Sequence, residues 1–133
     1  MRELNTIDEL AELIDATGEP VYVRYSKGPE ADASESSIDH ESGLELPGLS
    51  VNPLNPEEWW TRPMRDWLAR QLCQYAHLRE EDPDSRAWVL TGRVVGRGPD
   101  CEPLVAGQQP LALIADAMVD EAGRVYSARF DRE

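Results

Sequence analysis

Long apolar runs are missing from this chain. None approaches the ~20 residues that span a bilayer, and Met1 to Leu10 is charged where a secretion signal would be apolar. The reading predicts a cytoplasmic protein. Cysteine is nearly absent: Cys73 and Cys101 stand far apart with no Cys-x-x-Cys pair. In a chain without an export signal they are expected as reduced thiols. Positive charge is also scarce, with 13 Lys and Arg against 26 Asp and Glu and a formal net charge of −13. The densest basic stretch, Arg62 to Arg70, carries Asp66 as well and reads as one side of a helix. Such a chain repels phosphate backbones and anionic lipid, so nucleic-acid and membrane partners are excluded, whereas a basic protein partner fits.

The signatures of several chemistries are missing too. There is no GxxxxGK[ST] and no GxGxxG; Gly92, Gly96 and Gly98 fall in and after a strand without the helix that phosphate binding requires. No GxSxG marks a nucleophile. His40 lies between Asp39 and Glu41, and His77 follows Cys73 by one helical turn, but neither gathers the three or four ligands of a zinc site. The acids from Glu30 to Glu45 do not follow the spacing of a calcium loop, so no metal is expected.

What is present describes a globular chain. Its 133 residues fit one domain, and 41% of them are hydrophobic. Thr6 with Glu9 forms a capping box, Ile7, Leu10, Ala11 and Ile14 recur at helical spacing, and Gly18 is a natural stop. Val21 to Tyr25 reads as a strand with Val21, Val23 and Tyr25 on one face and Tyr22 and Arg24 on the other. Lys27 to Leu54 is a long, irregular, acidic region with three Pro, three Gly and six acids. Its second half, from Gly43, reads as two short extended pieces around a Pro47-Gly48 turn. Pro63 opens a second and longest helix, whose stripe is Met64, Trp67, Leu68, Leu72, Tyr75 and Leu78. Ala87 to Val95 is a strand, and Leu104–Val105 and Leu111–Ile114 read as two more. A final helix is expected from about Asp116 as N-cap, with a short helix to Ala122 and an edge strand from Val125 to Phe130 as the alternative. Together these elements predict one α+β domain, about three helices on a small, mostly antiparallel sheet.

Two features of this pattern bear on function. Lys27-Gly28-Pro29-Glu30 echoes Arg97-Gly98-Pro99-Asp100, each copy leaving a predicted strand. If those strands are neighbours, both turns place paired carboxylates on one rim. Asp100 and Glu102 are such a pair, and paired carboxylates can divide acid and base roles. Trp59-Trp60, just before the second helix, is expected to pack into the core, although such rings also serve as recognition platforms.

The strings VYVRYSKGPEAD, LPGLSVNPL followed by Trp59-Trp60, and WVLTGRVVGRGPDCEPLV resemble an uncharacterised family of short actinobacterial proteins, from about Val21 to Leu113. That resemblance implies lineage and a cytoplasmic setting and no activity. Arg24 on the first strand, Ser50 in Gly48-Leu49-Ser50-Val51 and the late Asp100-x-Glu102 are also similar, in order, to the Arg-Ser-Glu class of ADP-ribosyltransferases. The class usually shows Ser-Thr-Ser where this chain has Leu49-Ser50-Val51, and Glu or Gln where it has Asp100. The resemblance implies NAD as substrate, with Arg24, Tyr22 and Ser50 in the cofactor-binding position. Glu102, with Asp100, would then support the cation formed as the glycosidic bond breaks, in a transferase or an NAD glycohydrolase. Two other functions fit the same sequence: a small acidic interaction module that neutralises a basic partner such as a toxin, and a nonenzymatic small-ligand binder.

Overall fold

The computed structural model describes residues 2–29, 48–81, 83–99 and 101–130. The first helix, α1 (Ile7–Thr17), starts as its sequence dictates: the Thr6 hydroxyl accepts the Glu9 N–H at 3.2 Å, while the Glu9 carboxylate reaches back to the Asn5 N–H at 3.1 Å. It ends at Gly18, whose φ of 72° is left-handed backbone open to glycine. Before it lies β1 (Glu3–Leu4), too short to leave a periodic signal. Its place is fixed from outside, by the Leu113 N–H to Arg2 O and the Ala115 N–H to Leu4 O, at 2.8 and 2.9 Å.

The predicted first strand is β2 (Tyr22–Ser26). Two short pieces, β3 (Leu49–Ser50) and β4 (Asn52–Pro53), follow Gly48; the extended piece expected ahead of Pro47 lies outside the described residues. After them come α2 (Met64–Leu72) and α3 (Tyr75–Glu81), where the stripe had predicted one helix. The stripe is continuous, but the backbone turns at Cys73 and Gln74. Tyr75, just past this break, stacks its ring on Tyr25 (5.5 Å, 10° between planes), a tertiary contact that helical spacing does not encode. Asp66, in the first turn of α2, is buried and pairs with Arg62 at 3.6 Å, where a negative charge also meets the positive end of the helix.

The longest strands are β5 (Arg86–Arg97) and β6 (Pro103–Ile114), of 12 residues each. The sequence broke β6 in two because Gly107, Gln108 and Pro110 read as loop. The strand carries them with a left-handed Gly107 (φ 64°) and register shifts near Leu90 and Thr91, the irregular places where a sheet admits Gly and Pro. The last element is α4 (Asp116–Phe130), which decides the C-terminus in favour of helix. Asp116 is its first helical residue and not its cap; the Ala115 carbonyl receives the Met118 and Val119 N–H groups.

The strand order is β1-β6-β5-β2-β4, antiparallel except for the β1–β6 pair, with β3 also on β6. Because β3 and β4 are successive parts of one segment, that segment joins β6 to β2 and curls the sheet back on itself. Val51 N–H bonds Pro103 O at 3.1 Å on the β6 side, and Leu54 N–H bonds Val21 O at 2.9 Å on the β2 side. One face of the sheet packs on the helices through Val21, Val23, Val89 and Ile114 against Leu10, Leu68, Leu72 and Met118. The curl encloses a second, smaller core of Tyr22, Leu49, Val51, Trp88, Leu90 and Val105. With α2 and α3 packing as one broken unit, this is an α+β domain of three helical units on a curled, mostly antiparallel sheet.

The echo of the two Gly-Pro turns does not survive as a shared rim. β2 and β5 are neighbours, but they run antiparallel with Ser26 beside Arg86. Gly28-Pro29 therefore leaves the sheet near the start of β5, and Gly98-Pro99 leaves from its end.

Candidate functional site

Arg24 on β2 pairs with Trp88 of β5, and its Nη1 donates to the Ser50 carbonyl at 2.7 Å. The guanidinium thus ties β2 to the joining segment. Ser50 stands opposite Leu104 of β6, while its neighbours Leu49 and Val51 point into the small core. Alternation along the strand therefore turns the Ser50 side chain away from that core. Tyr22 is 7% exposed and belongs to the small core beside Trp88. Trp88 donates its indole N–H to Ser26 Oγ at 3.0 Å, and the same oxygen accepts the Gly28 N–H at 3.2 Å.

Glu102 sits at the tip of the β5–β6 hairpin. Gly98 N–H bonds Glu102 O (2.9 Å) and Cys101 N–H bonds Gly98 O (3.0 Å), closing a three-residue loop with Cys101 in the left-handed region at φ 63°. The Glu102 carboxylate lies against Gly98, in the space that a Cβ there would fill. Asp100 lies outside the described residues. The structure thus brings Arg24 and Ser50 into contact. It sets Glu102 two positions before Leu104, the residue that pairs with Ser50.

The tryptophans form a second constellation, and here the expectation of core packing holds for half of the pair. A turn closed by the Trp60 N–H and Glu57 O (3.0 Å) puts Glu58 and Trp59 at its corner. Trp60 turns inward against the helix-side core and donates its indole N–H to Pro63 O at 3.2 Å. Trp67, 3% exposed, donates to Leu54 O at 3.0 Å. Trp59 is 63% exposed. Its ring meets Trp60 and Trp67 edge-on, each at 5.9 Å, and the latter two meet at 5.1 Å. The Arg70 guanidinium lies 5.8 Å from the Trp59 ring and 5.5 Å from that of Trp67. The signal for this cluster was present in the sequence, since Trp67 and Arg70 are one helical turn apart and face alike. What the sequence lacked was the fold of the loop that brings Trp59 onto them.

Arg65 and Glu121 tie helices together. Arg65 bridges Asp8 (3.5 Å) and Glu121 (3.2 Å), and Glu121 also accepts the Ile7 N–H at 2.7 Å, so one carboxylate of α4 caps α1. Shallow clefts flank α4, one lined by Arg65, Glu121 and Arg124, the other by Ala76, Asp120 and Ser127. Among the described residues no group of three or more metal-ligating side chains occurs, and no helix is long and apolar enough to cross a membrane. Cys73 and Cys101 are not joined by a disulfide, and the Cys73 thiol donates to the Arg70 carbonyl at 3.5 Å.

A family profile matches the chain over residues 1–133. The chain belongs to DUF6098, a family of unknown function. No curated protein and no solved structure matches it. The match covers the whole chain, including the Trp59-Trp60 turn, the Arg24 strand and the Glu102 hairpin tip, and attaches no activity to any of them.

Proposed function

We propose that this member of DUF6098 is a small acidic interaction module that docks on a basic protein partner through the surface around Trp59. The observation that carries this reading is an indole 63% exposed to solvent yet braced by two other tryptophans. A large ring left in water has little to offer the fold. Held rigid, it loses little entropy when a partner covers it, and tryptophan is prominent among the residues that dominate interface energies. The net charge of −13 supplies attraction toward a basic surface. Affinity capture on the immobilised full chain, with Trp59→Ala as paired control, tests the proposal. Basic proteins retained by the wild type, released by salt and lost with the variant are the expected result. Equal retention by both chains would refute it.

The dinucleotide reading has one observation in its favour. The Leu49–Pro53 segment draws Arg24, Ser50 and the strand after Glu102 together, as an NAD site of the ADP-ribosyltransferase kind requires. In that reading Arg24, with Tyr22 and Ser50, holds NAD, and Glu102, with Asp100, stabilises the developing cation. Arg24 would have to trade its bond to the Ser50 carbonyl for the pyrophosphate. Calorimetry with NAD and an assay of nicotinamide release decide it. Arg24→Ala should weaken binding, and Glu102→Ala should abolish turnover with binding kept. Absence of binding at millimolar NAD removes this reading.

A further inference from the structure

Resting on the reading of the protein as a module for a basic partner, we propose that Trp59 is the floor of a seat for one arginine side chain of that partner, with Glu57 and Glu58 as its charged rim. The turn that places Trp59 at its corner also places Glu58 there, and both glutamates and the indole are exposed. The same short turn therefore carries two exposed carboxylates and the ring. Trp60 and Trp67 brace the ring through T-shaped contacts, at 67° and 72° between planes.

The chain itself shows which cation the cluster accepts. Arg70 already lays its guanidinium near Trp59 and Trp67, at 5.8 and 5.5 Å from the ring centroids. Indole is the strongest of the aromatic partners for a cation. A guanidinium is planar, weakly hydrated and able to stack while its N–H groups fork to a carboxylate; a lysine ammonium is a strongly hydrated point charge without that fork. Arginine on an indole beside two glutamates satisfies both halves of this chemistry. The net charge of −13 attracts a cationic peptide at long range, and at the turn itself Glu57 and Glu58 stand against Arg62 and Arg70.

The test is calorimetric titration of the full chain with an alternating Gly-Arg octapeptide, and with counterparts in which every arginine is replaced by lysine or by uncharged citrulline. The arginine peptide should bind best, the lysine peptide less well and the citrulline peptide least. Trp59→Ala should weaken the arginine peptide by about tenfold, the scale of a partly desolvated cation–π contact, and Trp59→Phe by less. The high exposure of Trp59 leaves the fold of both variants intact, which thermal melting verifies. Equal affinity of wild type and Trp59→Ala for the arginine peptide would overturn the seat while leaving an acidic module that binds through another surface. Equal affinity for arginine and citrulline peptides would overturn it too, by showing that charge is not read. Failure of every cationic peptide to bind would overturn both the seat and the module.

Discussion

The two cores on either side of the sheet are built from different material. The helix-side core is assembled from long periodic elements: α1, α2 and α4 each present aliphatic residues at helical spacing to the alternating inner face of the strands. The core inside the curl comes from separate pieces of chain, including Leu49 and Val51, and aromatic rings weigh more in it: Tyr22 and Trp88 are two of its six buried members, against Trp67 and Tyr75 among nineteen on the helix side. Polar groups border the second core, where Arg24 holds the Ser50 carbonyl and Ser26 receives the Trp88 indole. The difference teaches that one side of this sheet is made for stability by repetition. The other depends on a few specific bonds between distant residues.

The sharpest way to break that comparison is Trp67→Ala. Trp67 fills the helix-side core and bonds Leu54 O, so its loss should cost roughly 3–5 kcal/mol in denaturant unfolding. Because the strands belong to both cores, far-ultraviolet and tryptophan signals should still melt together; separate transitions would show two independent units.

A smaller effect comes from Tyr75, whose ring lies in the helix-side core while its hydroxyl accepts the Asn52 side-chain N–H of β4 at 3.2 Å. Burial raises its pKa above the ordinary tyrosine value, and the bonds to Asn52 and Gln74 only partly oppose this. The folded state thus holds its proton more tightly than the unfolded chain does. That stability is fully present below about pH 10 and is lost as pH rises toward the folded pKa. Tyr75→Phe should lose about 1 kcal/mol at neutral pH with the hydrogen bond and should show a shallower fall in melting temperature above pH 10. Parallel melting curves against pH would show that Tyr75 is not the group responsible.

At the hairpin tip, Cys101→Gly should stabilise the fold by about 1 kcal/mol, since a left-handed φ costs roughly that much for a side chain with Cβ. Loss of stability there would mean that the thiol makes a contact worth more than the strain. The smallest change is expected for Arg65→Ala, whose ion pairs are exposed on the arginine side: within about 0.5 kcal/mol. A larger loss would make the Asp8–Arg65–Glu121 bridge part of what holds α1 to α4.

Much of the fold was legible because its signals are local. Thr6, Glu9 and Gly18 mark the ends of α1 by hydrogen bonds and a φ angle set within a few residues. Val21 and Val23 alternate because a strand does, and the order of strands and helices already fixed an α+β class. The candidate site was legible only as a set of residue types. Arg24 and Trp59 were visible, but the partner of the first and the exposure of the second were not.

Those were decided by contacts between residues far apart in the chain. Periodicity joined α2 and α3, and the break before Tyr75 became visible only with Tyr25 beneath it. Gly107 and Pro110 looked like a loop until the register shifts against β5 absorbed them. β1 has no pattern of its own and exists because β6 offers it an edge. By itself, then, the sequence determined where most chain segments become helix or strand and which of their faces are apolar, because propensity, capping and alternation act within a few residues. Only the tertiary structure decided that β3 and β4 curl the sheet, that Arg24 spends a hydrogen bond on Ser50, and that Trp60 turns inward while Trp59 faces water. Each of those outcomes depends on which distant backbone or ring happens to lie within a few ångströms, and no local pattern records that.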